Sequence, residues 1–171
     1  MSVKSLDDLV AYQFTQNFKL EIYALIARTP AVRLQFRYVQ QVRDAAGDAV
    51  SDVAEGFARG RPAEFASFLR YALASLAEAR TRLQDGVERG FFSADDVGQA
   101  QLWGARANDI LGALRRNQLS MAKDWASKEK ADKTRQRVRS PQPDSSTRLL
   151  NRRGRKQRSL HHEIPARGDE D

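Results

Sequence analysis

Ser51–Arg80 reads SDVAEGFARGRPAEFASFLRYALASLAEAR. Its centre, "EGFARGRP", has the look of a phosphate-cradling loop. A P-loop, however, needs a glycine-rich backbone that follows a strand and runs into Lys-Ser/Thr, and neither is present. Helix punctuation explains the same letters. Gly60 suits the left-handed residue that closes a helix, and Pro62 suits the first position of the next, where a missing N–H costs nothing. Val53 and Phe57 precede the turn at helical spacing, and Phe65, Phe68, Leu69, Ala72, Leu76, Ala79, Leu83 and Val87 follow it. Two helices joined by so short a turn must run antiparallel.

The same periodicity extends outward. A first helix is predicted from about Leu6 to Arg28, with Leu9, Val10, Phe14, Phe18, Ile22, Leu25 and Ile26 as its apolar stripe; Ser5 and Asp8 form a capping-box pattern before it. Thr29 and Pro30 then start a second helix running to Arg59, whose stripe begins at Phe36 and continues through Val39, Val42, Ala46, Ala49 and Val50. The third covers Pro62–Arg89 and ends at Gly90. Ser93 and Asp96 open a fourth, which carries Val97, Ala100, Trp103, Ala107, Ile110, Leu111 and Leu114 to about Ala122. No segment alternates with period two. The expected fold is all-α: an up-down-up-down antiparallel four-helix bundle over residues 1–122. Gly47, Gly98, Gly104 and Gly112 interrupt helical patterns at roughly 1 kcal/mol each relative to Ala; they either permit close helix contacts or are tolerated.

Residues 123–171 differ in kind. The first 122 residues carry 15 Lys+Arg against 14 Asp+Glu, and the remainder 14 against 8. After Trp125 the chain is polar, basic and interrupted by Pro, Ser and Gly, too poor in apolar surface to offset ordering entropy. It is expected to be a mostly disordered basic tail, with the fourth helix reaching into "SKEKADKTRQ". Without cysteine, and with only His161 and His162 as imidazoles, the chain has no disulfide, no Cys-based zinc site and no His-based triad. His161 and His162 lack a preorganised third ligand, so no metal or other cofactor is expected. With no apolar run of spanning length and no leader pattern, the expectation is a cytoplasmic protein without membrane contact.

The segment Ser51–Glu78 resembles the signature of the bacterial four-helix-bundle family described from intervening sequences in 23S ribosomal RNA genes. Ser51, Val53, Ala54, Glu55, Gly56, Phe57 and Arg59 match its second-helix run. Glu64, Phe65, Phe68, Leu69, Ala72, Ser75 and Glu78 match its third, and Leu9, Tyr23 and Leu25 fit a looser first-helix pattern. The resemblance covers about residues 5–120. It departs from the family where Asp52 replaces an amide and Arg61 replaces a serine, and the basic tail lies outside the pattern. The resemblance implies a small non-enzymatic bundle that assembles with itself as a homopentameric ring. A related branch, the accessory proteins of diversity-generating retroelements, consists of similar basic pentamers that bind nucleic acid and a reverse transcriptase.

Three sets of side chains are candidates for function. Glu55, Arg59, Ser75 and Glu78 are expected to form a buried polar network that fixes helix register, with Ser75 bonding Glu55 across the hairpin; paired carboxylates of this kind do acid–base work only when their pKa values are split. Arg59, Arg61 and Arg70 either line a basic face or pair with nearby acids such as Glu78, Asp85 and Glu88. In the tail, "TRQRVR" and "NRRGRKQRS" contribute Arg135, Arg137, Arg139, Arg152, Arg153, Arg155, Lys156 and Arg158. Such a run binds polyanions through counterion release, with affinity that falls steeply in salt. With no aromatic residue after Trp125, the tail cannot stack bases. The expectation is a non-enzymatic oligomer that associates electrostatically with nucleic acid, RNA more than DNA. The alternative is a protein–protein adaptor docking on a reverse transcriptase through Phe91, Phe92 and Trp103.

Overall fold

The computed structural model describes residues 4–139. Every regular element among them is helical: α1 (Val10–Arg28), α2 (Pro30–Arg33), α3 (Phe36–Arg59), α4 (Pro62–Glu88) and α5 (Ala94–Arg139). The described residues divide into one unit up to Ser127 and a second from Lys128.

The punctuation lies where the side chains put it. Gly60 and Gly90 have φ of 69° and 71°, the left-handed region that glycine enters without a Cβ penalty. Pro62 starts α4, and Arg61 before it gives no side-chain cap. At α5 the capping box is complete: the Ser93 N–H donates to Asp96 Oδ2 at 2.8 Å and the Asp96 N–H donates to Ser93 Oγ at 3.1 Å. The bonds donated to it by the Ser93 N–H and, at 2.7 Å, by Ser93 Oγ hold the Asp96 carboxyl below its ordinary pKa.

Three boundaries differ from the sequence expectation. Ser5 and Asp8 do pair, with Ser5 Oγ donating to Asp8 at 2.7 Å, but they close a turn that precedes α1, which begins at Val10. The expected second helix is broken at Gln35, whose φ/ψ of −91°/62° lies outside the helical region. Val32 and Tyr38 are both buried; in one continuous helix they would stand about 120° apart, and the break brings both inward. It also turns Phe36 out, 78% exposed, although the apolar pattern assigned it to the core. Finally, α5 runs past Ala122 through the expected "SKEKADKTRQ" extension and three residues beyond it, to Arg139. Good helix formers and a Lys133–Glu129 pair at 2.6 Å sustain it there.

The core of the first unit follows the stripes. Phe18, Ile22, Leu25 and Ile26 of α1, Val42 and Val53 of α3, Leu69, Leu76 and Leu83 of α4, and Leu111 of α5 are all sealed from solvent. Each contributes about 1.5–3 kcal/mol on burial. Val10 of the expected stripe is half exposed instead. An extensive contact joins α3 to α4, and its antiparallel sense is fixed at both ends. Tyr38 Oη donates to the Arg82 carbonyl at 2.7 Å, and Gly56 lies against Phe65 and Phe68. The α1–α5 pair also runs antiparallel: Arg28 donates to the Asp96 carbonyl at 3.3 Å, and Phe14 meets Trp103 edge-on at 5.5 Å.

Glycines mark the closest approaches. A Cβ on Gly56 would stand 2.7 Å from Phe68 Cβ, one on Gly86 2.1 Å from Tyr38 Oη, and one on Gly104 2.8 Å from Arg80 Cδ. Gly98 has open space around it, so of the four interrupting glycines only Gly104 serves tight packing. Gly86, the tightest position, had gone unremarked in the sequence.

Candidate nucleic-acid interface

The α3–α4 hairpin carries the signature residues, but not as a buried network. Glu55 and Arg59 pair at 2.5 Å with both side chains about half exposed (51% and 52%). Glu78 pairs separately with Arg82 at 2.7 Å. Ser75 makes no hydrogen bond to Glu55 among the described residues; its hydroxyl lies near the Asp52 carboxyl instead. The Asp52 carboxyl is nevertheless held above its ordinary pKa, first by desolvation and then by the charges of Asp48 and Glu55. The expected four-residue network is thus two exposed one-turn ion pairs and a separate Ser75–Asp52 contact. One turn of helix separates i from i+4, so local pairing wins over pairing across the interface. Exposed pairs of this kind contribute less than about 1 kcal/mol each.

The arginines divide into two kinds. Arg61 approaches Glu64 at 3.8 Å, and Arg89 pairs with Asp85 at 2.9 Å. Arg70 has no acidic partner among the described residues; its guanidinium lies 4.6 Å over the Tyr71 ring. Arg59 also sits 5.5 Å over Phe68. Phe68 and Tyr71 meet edge-to-face at 6.2 Å. Arg59, Phe68, Tyr71 and Arg70 therefore form one series, two rings in contact with a cation at each end, and Tyr71 is 49% exposed. The helical pattern had placed Phe68 in the core and had given Tyr71 no role. The adjacency of Arg70 and Tyr71 was the available signal.

The adaptor residues are less open than expected. Phe92 is buried, and Phe91 meets Tyr38 edge-on at 5.1 Å. Trp103 is half-buried, with Arg106 5.8 Å over its ring. A different set of large apolar side chains is exposed: Leu34, Phe36, Leu119, Met121 and Trp125.

In the second unit, Arg135 and Arg137 are exposed on α5 and have no ion-pair partner among the described residues. Arg139 is the last residue of the helix. Arg152, Arg153, Arg155, Lys156 and Arg158, with His161 and His162, lie outside the described residues. Among the described residues no group of His, Cys, Asp or Glu is placed to hold a metal ion, and no helix is long and apolar enough to cross a membrane.

A family profile described as 23S rRNA-intervening sequence protein matches residues 7–109, from before α1 into α5. No curated protein sequence matches the chain. The chain belongs to the 23S rRNA-intervening sequence protein family.

Proposed function

We propose that this family member is a non-enzymatic, self-assembling protein that associates with nucleic acid, RNA in preference to DNA, by attraction between its cations and phosphate. The observation that carries the reading is the state of the arginines: Arg135 and Arg137 stand exposed on a helix without an ion-pair partner among the described residues, and the basic run continues in sequence through Arg158. Unpaired guanidinium groups bind phosphate without first giving up a protein partner. The antiparallel α1–α5 and α3–α4 pairs support an up-down-up-down four-helix body. Exposed Leu119, Met121 and Trp125 support assembly into a ring, for which five copies is the expected number. A ring would gather several basic arms, so that avidity multiplies a weak affinity per arm. Arg59, Arg61 and Arg70 would add phosphate contacts from the body. The expected compartment is the cytoplasm.

The test replaces Arg135, Arg137, Arg139, Arg152, Arg153, Arg155, Lys156 and Arg158 with Gln in the full chain and measures retention of single-stranded RNA at low salt. Loss of most retention is expected; undiminished retention would move the binding to the helical body. The adaptor reading, with a reverse transcriptase as partner, draws its support from Leu34 and Phe36, the two most exposed large apolar side chains among the described residues, at 85% and 78%.

A further inference from the structure

Where α2 gives way to α3, an open cleft of about 420 Å³ lies between the start of α3 and the end of α4. Its size falls within the range of about 300–1,000 Å³ usual for small-ligand sites. Arg37, Arg82 and Arg89 line it, opposed by one carboxylate, Asp85. The three cations are not equally engaged. Arg82 is held by Glu78 at 2.7 Å and by Gln41 at 2.9 Å. Arg89 donates from Nε to Asp85 at 2.9 Å, leaving its two terminal nitrogens without a partner among the described residues. Arg37 is exposed and has no hydrogen-bond or ion-pair partner among them. The cleft therefore holds a net positive charge with donors to spare.

Its remaining lining is aromatic and amide. Phe36 and Phe91 line it, and Phe36 is 78% exposed, so a ligand laid on that ring would bury surface that the chain leaves to water. Gln35 and Gln41 add amide groups that both donate and accept. The Tyr38 hydroxyl is committed to the Arg82 carbonyl, and burial pushes its pKa up to about 12. Tyr38 is a neutral floor and supplies no charge.

From this combination we infer that the cleft binds a nucleoside phosphate, presented as one unstacked nucleotide of a single strand, with its base against Phe36 and Phe91 and its phosphate on Arg37 and Arg89. The inference rests on the nucleic-acid reading above and gives the helical body a base-contacting site that the aromatic-free tail lacks. Aromatic faces accept any base, and guanidinium groups match phosphate oxygens. Asp85 keeps acceptor capacity beyond its bond to Arg89, which suits the exocyclic amines of bases. An acidic peptide side chain would bring it no donor. A duplex keeps its bases stacked and cannot offer one to the cleft.

The experiment uses the full chain, a fluorescein-labelled 12-nucleotide single-stranded RNA, a duplex of the same length, and adenosine monophosphate, inorganic phosphate and hexaglutamate as competitors. Phe36→Ala and Arg37→Gln remove exposed side chains and leave the core intact. Each is expected to weaken single-strand binding by about 10-fold or more and to leave duplex binding unchanged. Displacement by adenosine monophosphate but not by inorganic phosphate supports the site. Binding of the free nucleotide alone, lost in Phe36→Ala, supports it with the mononucleotide as the source. Wild-type single-strand affinity in both variants overturns the inference and leaves the nucleic-acid reading standing. Failure of wild type to bind strand, duplex or mononucleotide at low salt overturns both. Displacement by hexaglutamate that matches adenosine monophosphate and is lost in Arg37→Gln but kept in Phe36→Ala overturns it in favour of an acidic protein partner.

Discussion

Among the glycines of the described residues, Gly86 of α4 has the least room, against Tyr38 of α3, and substituting Gly86→Ala puts a number on how firmly that contact is set. In an open helix the change would stabilise by about 1 kcal/mol. Here the new Cβ would stand 2.1 Å from Tyr38 Oη and 2.9 Å from Phe92 Cδ2, against an ordinary contact of at least 3.4 Å. Turning the tyrosine ring about its own axis does not help, because the hydroxyl lies on that axis. The whole ring must tilt, and Phe91 and Phe92 stand 5.1 and 6.3 Å from it, centroid to centroid. Overpacking of this kind costs about 1–3 kcal/mol, and loss of the Tyr38–Arg82 hydrogen bond adds about 1 kcal/mol. Net destabilisation of about 1–3 kcal/mol follows. Tyr38→Phe alone should cost about 1 kcal/mol, since the Arg82 carbonyl keeps its place in the helix ladder. Combining the two removes the hydroxyl that the methyl strikes, so the double variant should be more stable than the sum of the singles by about 1–2 kcal/mol. Urea unfolding followed by far-UV circular dichroism measures all four corners of the cycle. Additivity within about 0.5 kcal/mol, or a stabilised Gly86→Ala, would refute the reasoning.

Two other substitutions carry a definite sign. Gly98→Ala, in open space, should stabilise by about 0.5–1 kcal/mol. Gly104→Ala, whose Cβ would stand 2.9 Å from the buried Phe18 ring, should destabilise by about 1–2 kcal/mol; the same unfolding assay checks both. Asp52→Asn should raise Tm at pH 7 by at most a few degrees. The folded state holds the Asp52 carboxyl above its ordinary pKa and so binds its proton more tightly than the unfolded chain does. That penalty on folding is full above the raised pKa and vanishes below the ordinary value of about 3.9. The gain from the amide should therefore disappear as pH falls through that window, which thermal scans at pH 7 and pH 3 would show; an equal gain at both would contradict it.

Much of the helical order was legible because its signals are local. Gly60, Pro62, Gly90 and the Ser93–Asp96 box act within a single turn, and each ends or starts a helix where expected. The break at Gln35 had no such marker. It comes from the need to bury Val32 and Tyr38 together, a demand that only the packed chain expresses. For the same reason Phe36 read as core and lies exposed. The candidate site was less legible than the fold. Glu55, Arg59, Ser75 and Glu78 were assigned to one network because their helices adjoin, yet each charged pair closes within its own helix. Phe68, Arg70 and Tyr71 share α4 at legible spacing, but the approach of Arg59 to Phe68 and the cleft around Arg37 and Phe36 depend on how α3 meets α4, and no spacing along one helix encodes that.

The most direct test of electrostatic nucleic-acid association is the affinity of the full chain for single-stranded RNA as a function of salt. About six phosphate contacts predict a straight line of log K against log salt with a slope near −4. Absence of binding at about 50 mM salt, or an affinity that does not change with salt, would contradict the account.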